Sequence, residues 1–200
     1  MLVKTMEHKH HGKSSEKFLD SHEILSELNL AGSETFMDAG CGDGYISKKA
    51  IEEFLPEGKV YAVDVYDEAI AELDEYKEKN HISNLISICA DLACEIPDVN
   101  DESVDVILMI NVFHGFKASD EMDEVVLNLR KLLKNGGKFA IVEFKPIEMQ
   151  FGPPLEIRCS HAELENLFEK HGFRKVHLNV EIGEDVAEGK SHFMIIFEKE

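Results

Sequence analysis

The chain of 200 residues is poor in basic side chains and has no long apolar run. Lys and Arg number 21 against 40 Asp and Glu, which gives a formal net charge of −19 at pH 7. A surface of that sign repels the phosphates of nucleic acids and anionic lipid headgroups, so we expect neither as a partner. No window approaches the roughly 18–20 apolar residues that span a bilayer, so we expect no membrane segment.

Cysteine is also scarce, and the amino terminus does not resemble an export signal. The four cysteines, Cys41, Cys89, Cys94 and Cys159, show no C-x-x-C spacing. Residues 1–13 are polar and lack the apolar core of a signal peptide. We therefore expect reduced thiols and a cytoplasmic protein. The length suits one domain, and the sequence contains no internal repeat or low-complexity linker.

Apolar positions recur with a period that alternates between that of a helix and that of a strand. Helices are predicted over residues 14–30, 45–54, 67–79, 119–133 and 160–171, with Asp67 and Ser160 as N-caps. Strands are predicted over residues 35–39, 59–65, 85–90, 104–112, 138–144, 175–182 and 192–198.

The arrangement of these elements predicts the fold class. The strand over 104–112 is apolar on both faces, which is typical of a central parallel strand covered by helices on both sides. A turn is predicted over 134–137, and the last two strands leave no room for a helix between them, so they must form a hairpin. We predict an α/β, Rossmann-like fold with a seven-stranded, mostly parallel sheet, an antiparallel strand in the terminal hairpin and helices on both faces.

The strongest functional signal is the segment D-A-G-C-G-D-G at 38–44, between a predicted strand and a predicted helix. Gly40, Gly42 and Gly44 let the backbone turn sharply and let a ligand approach it. The spacing lacks the third glycine of the dinucleotide-binding turn, and Asp38 stands two positions before the first glycine. A carboxylate there disfavours a pyrophosphate and favours a ligand that carries an ammonium and a sulfonium group.

Three further positions follow predicted strands. Asp64 ends a strand 20 residues past Gly44, where a carboxylate can accept hydrogen bonds from both ribose hydroxyls. Asp91 can take the amino group of an adenine, and Leu92 can contact the edge of its ring. Asn111 lies near the end of the central strand, at the sheet edge where open α/β sheets bind ligands.

In this order, the motifs D-x-G-x-G-x-G, strand-end Asp, A-D-L, V-D-V-I-L-M-x-N and L-L-K-N-G-G resemble those of the class I S-adenosylmethionine-dependent methyltransferases, over residues 35–143. The sequence is most similar to the branch that includes the ubiquinone/menaquinone-type C-methyltransferases and the arsenite methyltransferase-like proteins. One departure is Asn135, where such proteins usually carry proline. The resemblance implies an S-adenosylmethionine-binding methyltransferase domain over 31–200, preceded by an extension over 1–30 whose helix caps the site.

The resemblance also implies S-adenosylmethionine as cofactor, S-adenosylhomocysteine as product and a set of residues that bind the donor. Asp38 and the turn would hold its methionine part, Asp64 with the adjacent Val65 its ribose, and Asp91 with Leu92 its adenine. The carbonyl near Asn111 would face the methionine part. The complete expected set is Asp38, Gly40, Cys41, Gly42, Gly44, Asp64, Val65, Asp91, Leu92 and Asn111.

The acceptor is expected to be a small molecule over the carboxyl edge of the sheet. His114 has a reference pKa near 6.5, which suits a general base. Arg158 follows the Pro153–Pro154 pair and can clamp an anionic acceptor. Each has a plainer alternative, namely a histidine satisfied at a helix start and a surface salt-bridge partner. We expect the helix over 14–30 to cover the acceptor pocket, facing His114 and Arg158.

Other functions remain open at this point. The cysteines suggest an arsenite or other soft-metalloid methyltransferase, since soft ligands bind soft metalloids, although Cys41 lies within the glycine turn. A non-catalytic protein that binds the donor is a further alternative. A nicotinamide oxidoreductase would need a G-x-x-G continuation after the first glycines, and this sequence does not contain one. His8, His10 and His11 can bind a transition metal, but we expect a polar tail and no metal site. A homodimer is left open.

Overall fold

Seven strands form one sheet in the computed structural model, which describes residues 15–200. The strands are β1 (Thr35–Ala39), β2 (Lys59–Asp64), β3 (Leu85–Cys89), β4 (Val104–Ile110), β5 (Leu133–Phe144), β6 (Phe173–Val186) and β7 (Gly189–Lys199). Their order is β3-β2-β1-β4-β5-β7-β6. The first five pair in parallel, and β7 is antiparallel to both of its neighbours. The predicted fold class is confirmed.

In the described part of the chain, six α-helices cover the two faces of the sheet. They are α1 (Ser21–Glu27), α2 (Tyr45–Lys49), α3 (Asp67–Lys79), α4 (Phe113–Ser119), α5 (Met122–Leu132) and α6 (His161–Lys170). A π-helical turn at Ala50–Phe54 continues α2. The first three helices bury apolar side chains such as Leu25 and Leu73 in one core, and the last three bury residues such as Val125 and Phe168 in the other. None of the helices among residues 15–200 is long and apolar enough to cross a membrane.

The prediction of a single helix over residues 14–30 is wrong, because a new helix begins within this range. A short 3-10 turn at Ser15–Lys17 is followed by α1, and Asp20 is the N-cap of α1. The Asp20 carboxylate accepts hydrogen bonds from the amides of His22 and Glu23 at 2.8 and 3.3 Å. These bonds satisfy amide groups that a continuous helix would have paired internally, so the chain begins a new helix there.

Two other helix predictions are wrong for local backbone reasons. The helix predicted over 119–133 begins only at Met122, as α5, and no helix was predicted at α4, which ends where Asp120 adopts a left-handed φ of 63°. The predicted bounds of α3 are confirmed, but its N-cap is Tyr66, and Asp67 is the first helical residue. The predicted turn over 134–137 forms a bulge within β5, whose flanking residues Leu133 and Lys138 pair with β4. Ser160, by contrast, caps α6 as predicted.

Helix α1 is part of the core, and only the segment before it reaches the carboxyl edge. Leu25 and Leu28 are fully buried, and the Glu27 carboxylate lies 2.6 Å from Nε2 of His177 on β6. Phe18 lies beside the end of β5. Its ring stacks on that of Phe151, with 5.1 Å between the ring centroids. Helix α1 itself therefore packs in the core, and the cover over the acceptor pocket stays a prediction.

We expect Leu25→Ala to lower the free energy of unfolding by roughly 2–5 kcal/mol, the usual effect of truncating a buried leucine. The matched control is Leu127→Ala on α5, where the side chain is 47% exposed, with an expected change within about 0.5 kcal/mol. Urea denaturation measures both. Equal losses in the two variants would contradict a core position for α1.

Candidate functional site

The glycine turn joins the ends of three strands. Gly40, Gly42 and Gly44 have φ angles of 84°, 52° and 75°, in the left-handed region that glycine adopts without strain. The amides of Gly40 and Cys41 donate to the carbonyl of Val63 on β2 at 2.8 and 3.0 Å. A Cβ at Gly40 would overlap the side chain of Val112, just past β4. The turn therefore fits only if its first position carries no side chain.

Asp38, on β1, is a buried carboxylate behind the turn. It is 2% exposed and accepts a hydrogen bond from Oγ of Ser47 at 2.6 Å. Burial raises the pKa of Asp38 to about 7, against the opposing effect of the Ser47 bond and with a further rise from the charge of Asp64. A group of this kind gains most from a nearby cation, so the position fits a ligand ammonium.

Asp64 connects the turn to the end of β2. Its carboxylate accepts from the amide of Gly42 at 2.8 Å and from that of Tyr66 at 3.1 Å. The neighbouring Val65 is 56% exposed. The Asp64 side chain itself is mostly buried, so its carboxylate is held in place by main-chain donors before any ligand binds.

The ends of β2 and β3 bring the other two expected positions alongside. The amide of Ala90 donates to the carbonyl of Asp64 at 2.9 Å. Asp91 is exposed, and its carboxylate accepts from the amide of Ala93 at 2.9 Å. Leu92 is 5% exposed. This segment therefore places a solvent-facing carboxylate beside a buried apolar side chain.

Asn111 stands directly after β4 in a strained conformation. Its φ is 56°, in the left-handed region that few residues other than glycine occupy. Its amide donates to the carbonyl of Val142 at 2.9 Å. Its Oδ1 is buried and accepts no hydrogen bond from any of residues 15–200. A buried acceptor that lacks a donor is uncommon, and this one suits a ligand that brings an ammonium or a hydroxyl group.

His114 pairs with a residue that the sequence analysis missed, Glu143 on β5. Nδ1 of His114 lies 3.0 Å from each carboxylate oxygen of Glu143. Glu143 is fully buried, whereas the His114 side chain is 19% exposed. Burial alone would lower the pKa of His114, but the charge and hydrogen bond of Glu143 outweigh it and raise that pKa. The signal available in the sequence was one carboxylate within the apolar strand F-A-I-V-E-F.

The guanidinium of Arg158 is occupied by main-chain carbonyls, in contrast to its expected role on an anionic acceptor. Arg158 is 5% exposed. It donates to the carbonyls of Ile147 at 2.7 Å, Pro153 at 2.9 Å, Phe151 at 3.1 Å and Lys145 at 3.3 Å. These bonds close residues 145–158 into a compact loop over the end of β5, which we call the Arg158 loop.

The cysteines are free thiols, and two of them are buried. Burial raises the pKa of the Cys159 thiol to about 12 and raises that of Cys41 as well. Such thiols stay protonated and are poor ligands for soft metalloids. Within residues 15–200 no group of three or more His, Cys, Asp and Glu side chains is placed to hold a metal ion. His8, His10 and His11 lie outside the described residues.

The pKa of Asp38 predicts a measurable dependence of stability on pH. Because folding raises this pKa from 3.8 to about 7, the folded protein favours the protonated carboxyl. The ionised carboxylate therefore destabilises the fold increasingly from pH 4 to 7. We expect the free energy of unfolding of Asp38→Asn, relative to that of the wild type, to rise by up to about 1.4 kcal/mol per pH unit across this range. Above pH 7 this difference should become constant.

Urea denaturation between pH 5 and 8.5 measures this difference. The control is Asp67→Asn, at an exposed carboxylate in the first turn of α3, where the difference from the wild type should not vary with pH in this way. A pH-independent difference for Asp38→Asn would contradict a carboxyl that folding protonates.

Comparison with known proteins agrees with this geometry. A family model described as a methyltransferase domain matches residues 30–199. A protein of Sulfurisphaera tokodaii described as a cobalt-precorrin-6B C(15)-methyltransferase (decarboxylating) is 31% identical over 117 residues, which cover 58% of this chain and 57% of that protein. An arsenite methyltransferase of Halobacterium salinarum is 27% identical over 159 residues, covering 74% of this chain and 39% of that protein. The chain thus spans about half the length of these curated relatives.

A solved structure shows the same fold over almost the whole chain. The S-adenosylmethionine-dependent methyltransferase from Aquifex aeolicus is 27% identical, with a TM-score of 0.78 over 91% of this chain and 90% of that one. The family model and this structure both cover the turn, the central strands and the terminal hairpin. The chain therefore belongs to the methyltransferase domain family, among the S-adenosylmethionine-dependent methyltransferases, as its motifs predicted.

Proposed function

We propose that the chain transfers the methyl group of S-adenosylmethionine to a small-molecule acceptor at the carboxyl edge of the sheet. The observation that carries the proposal is the order of groups along that edge. Asp64 ends β2, Asp38 lies on the neighbouring β1, and Asn111 directly follows the next strand, β4. Glu143, with His114, comes next on β5. A site for the donor and a candidate base for the acceptor thus lie side by side.

The donor residues divide by chemistry. The Asp38 charge and the unsatisfied Oδ1 of Asn111 suit the ammonium of the methionine part, which the backbone of Gly40, Cys41, Gly42 and Gly44 would flank. Asp64, with Val65 beside it, would bind the ribose. Asp91 and the buried Leu92 would bind the adenine.

When bound, S-adenosylmethionine supplies a methyl group on a positively charged sulfur, a good leaving group. The chain then has to align the acceptor with that methyl and exclude water, and alignment of this kind can supply roughly 7–11 kcal/mol. The Arg158 loop and Phe18, which stacks on Phe151 of that loop, would form the wall on the acceptor side. In this proposal Arg158 orders the loop and does not bind the acceptor itself.

The alternatives find less support. One curated relative is an arsenite methyltransferase, but in this chain Cys41 and Cys159 are buried thiols with raised pKa values. The His114–Glu143 pair supplies a candidate base, which favours a catalytic role over donor binding alone. The net charge of −19 argues against a nucleic acid acceptor. Free thiols fit a cytoplasmic location, and a homodimer stays a prediction.

S-adenosylhomocysteine is expected to bind in the micromolar range and to raise the melting temperature, because it binds the folded protein only. NAD at the same concentration should leave the melting temperature unchanged, since the turn lacks the dinucleotide spacing. Isothermal titration calorimetry and thermal melts measure both. Binding of NAD without binding of S-adenosylhomocysteine would refute the proposal.

Asp64→Asn should weaken binding of S-adenosylhomocysteine about tenfold or more, since hydrogen bonds to a charged group contribute roughly 1.5–3 kcal/mol each. The one carbonyl oxygen left in this variant can still accept from the amide of Gly42 and hold the turn, whereas the bond from the amide of Tyr66 is lost. Asp67→Asn, three residues later and exposed, is the matched control and should bind like the wild type. Equal affinities in the two variants would exclude Asp64 from the ribose site.

The acceptor can be sought with S-adenosylmethionine labelled in its methyl group, incubated with the protein and with cell extract fractionated by size and polarity. We expect label in a small-molecule fraction. Tight binding of S-adenosylhomocysteine with no label transferred in any fraction would favour the non-catalytic alternative.

A further inference from the structure

We propose that Glu143 is a positioning residue that makes His114 the general base, so that the acceptor is methylated on a carbon, nitrogen or oxygen atom that gives up a proton. The inference rests on the proposed function and names the class of acceptor for the same site. It is carried by the geometry of one buried pair.

Glu143 holds His114 at two points. Its two oxygens lie 3.0 Å from Nδ1, and Oε1 also accepts from the His114 amide at 3.1 Å. The second oxygen accepts from the amide of Phe144 at 3.2 Å. The carboxylate thus fixes both the imidazole ring and the first turn of α4. Among residues 15–200 none forms a hydrogen bond with Nε2 of His114, the nitrogen left to meet a substrate.

The buried carboxylate of Glu143 accepts from two main-chain amides, one on each oxygen, and faces one side chain, that of His114. A buried charge destabilises a fold unless it is paired, and a glutamine could accept from only one of the two amides, because its NH2 group replaces the second acceptor oxygen. The nearby guanidinium of Arg158 directs its hydrogen bonds to main-chain carbonyls. The imidazole is therefore the one side chain in the described residues that hydrogen-bonds the Glu143 carboxylate, and the pair becomes strongest when His114 holds a proton.

The surrounding groups keep their charge over the pH range in which His114 titrates. Arg158, whose charge acts on both members of the pair, stays positive. Cys159 has its pKa raised to about 12 by burial and stays neutral. His192, which feels the charge of Glu143, has its pKa lowered to about 4 by burial and is neutral above pH 5. Lys117 lies beside Cys159 and donates a hydrogen bond to the carboxylate of Glu163 at 2.8 Å.

In the transfer step, the acceptor atom gives its proton to Nε2 of His114 and uses the freed electron pair to bond the methyl carbon. The bond between the methyl carbon and sulfur breaks and leaves its electron pair on the sulfur. The sulfur of the released S-adenosylhomocysteine is therefore an uncharged thioether. The imidazolium is stabilised by Glu143 and later loses its proton to water. Arsenite and thiolates, which attack through an available lone pair, need no such base.

The test uses the ¹⁵N-labelled full-length protein with saturating S-adenosylhomocysteine, which keeps Asp38 in one donor-bound state. Histidine side-chain NMR spectra are recorded from pH 5 to 9, with His114→Gln to assign the signal. In the wild type we expect neutral His114 to carry its proton on Nδ1, facing Glu143. Glu143→Gln should lower the His114 pKa by about one unit or more.

The matched control is Glu165→Gln, which removes a partly buried carboxylate paired with Lys175 on the far side of α6, and it should leave the His114 titration unchanged. An Nε2-protonated neutral ring in the wild type, or equal His114 pKa values in the wild type and Glu143→Gln, would overturn the inference. The wild-type tautomer decides the question even if Glu143→Gln does not fold.

Mass spectrometry of the labelled product from the extract screen tests the acceptor class. Label on carbon, nitrogen or oxygen supports the inference, with transfer by Glu143→Gln reduced roughly 10- to 100-fold at pH 7 and KM for the donor unchanged. Label on arsenic or sulfur overturns it while leaving the proposed function intact. Failure of S-adenosylhomocysteine to bind at all would instead refute the proposed function.

Discussion

The contact between Gly40 and Val112 is the constraint on which the rest of the site depends. Because the glycine has no side chain, the turn after β1 packs directly against the residue after β4. The two parallel strands therefore end at the same level, with Asp38 behind the turn and Asn111 beside it. The left-handed backbone of Asn111 follows from the same fit, since β4 must turn sharply to enter α4. A side chain at Gly40 would separate the donor groups from the His114 pair.

The edge of the sheet also concentrates buried charge where stability alone would not place it. Asp38 and Glu143 are carboxylates with 2% and 0% exposure, and each has a single side-chain hydrogen-bond partner in the described structure. Such groups oppose folding unless a cation pairs with them. The two differ in how that opposition is relieved. Glu143 faces the imidazole of His114, which can carry a charge, whereas Asp38 has the neutral hydroxyl of Ser47 as its side-chain partner in the described residues.

The opposite side of the site depends on main-chain hydrogen bonds. Arg158 closes its loop by donating to four carbonyls, and the ring of Phe18 stacks on Phe151 within that loop. Residues 145–158 are thus held in one arrangement by their own main chain. The net charge of −19 disfavours polyanionic partners.

The sequence alone determined the fold class and the family, because apolar periodicity and glycine spacing are local properties that survive without knowledge of neighbours; the donor residues that it names stay predictions. It misjudged the start of α1, missed α4 and placed the start of α5 too early, since Asp20 and Asp120 act through cap bonds and a backbone angle that periodicity does not report. Only the tertiary structure showed that Glu143 holds His114, 29 positions away, and that Arg158 orders a loop. Both depend on which side chains and carbonyls meet when strand ends align, and long-range packing alone decides that.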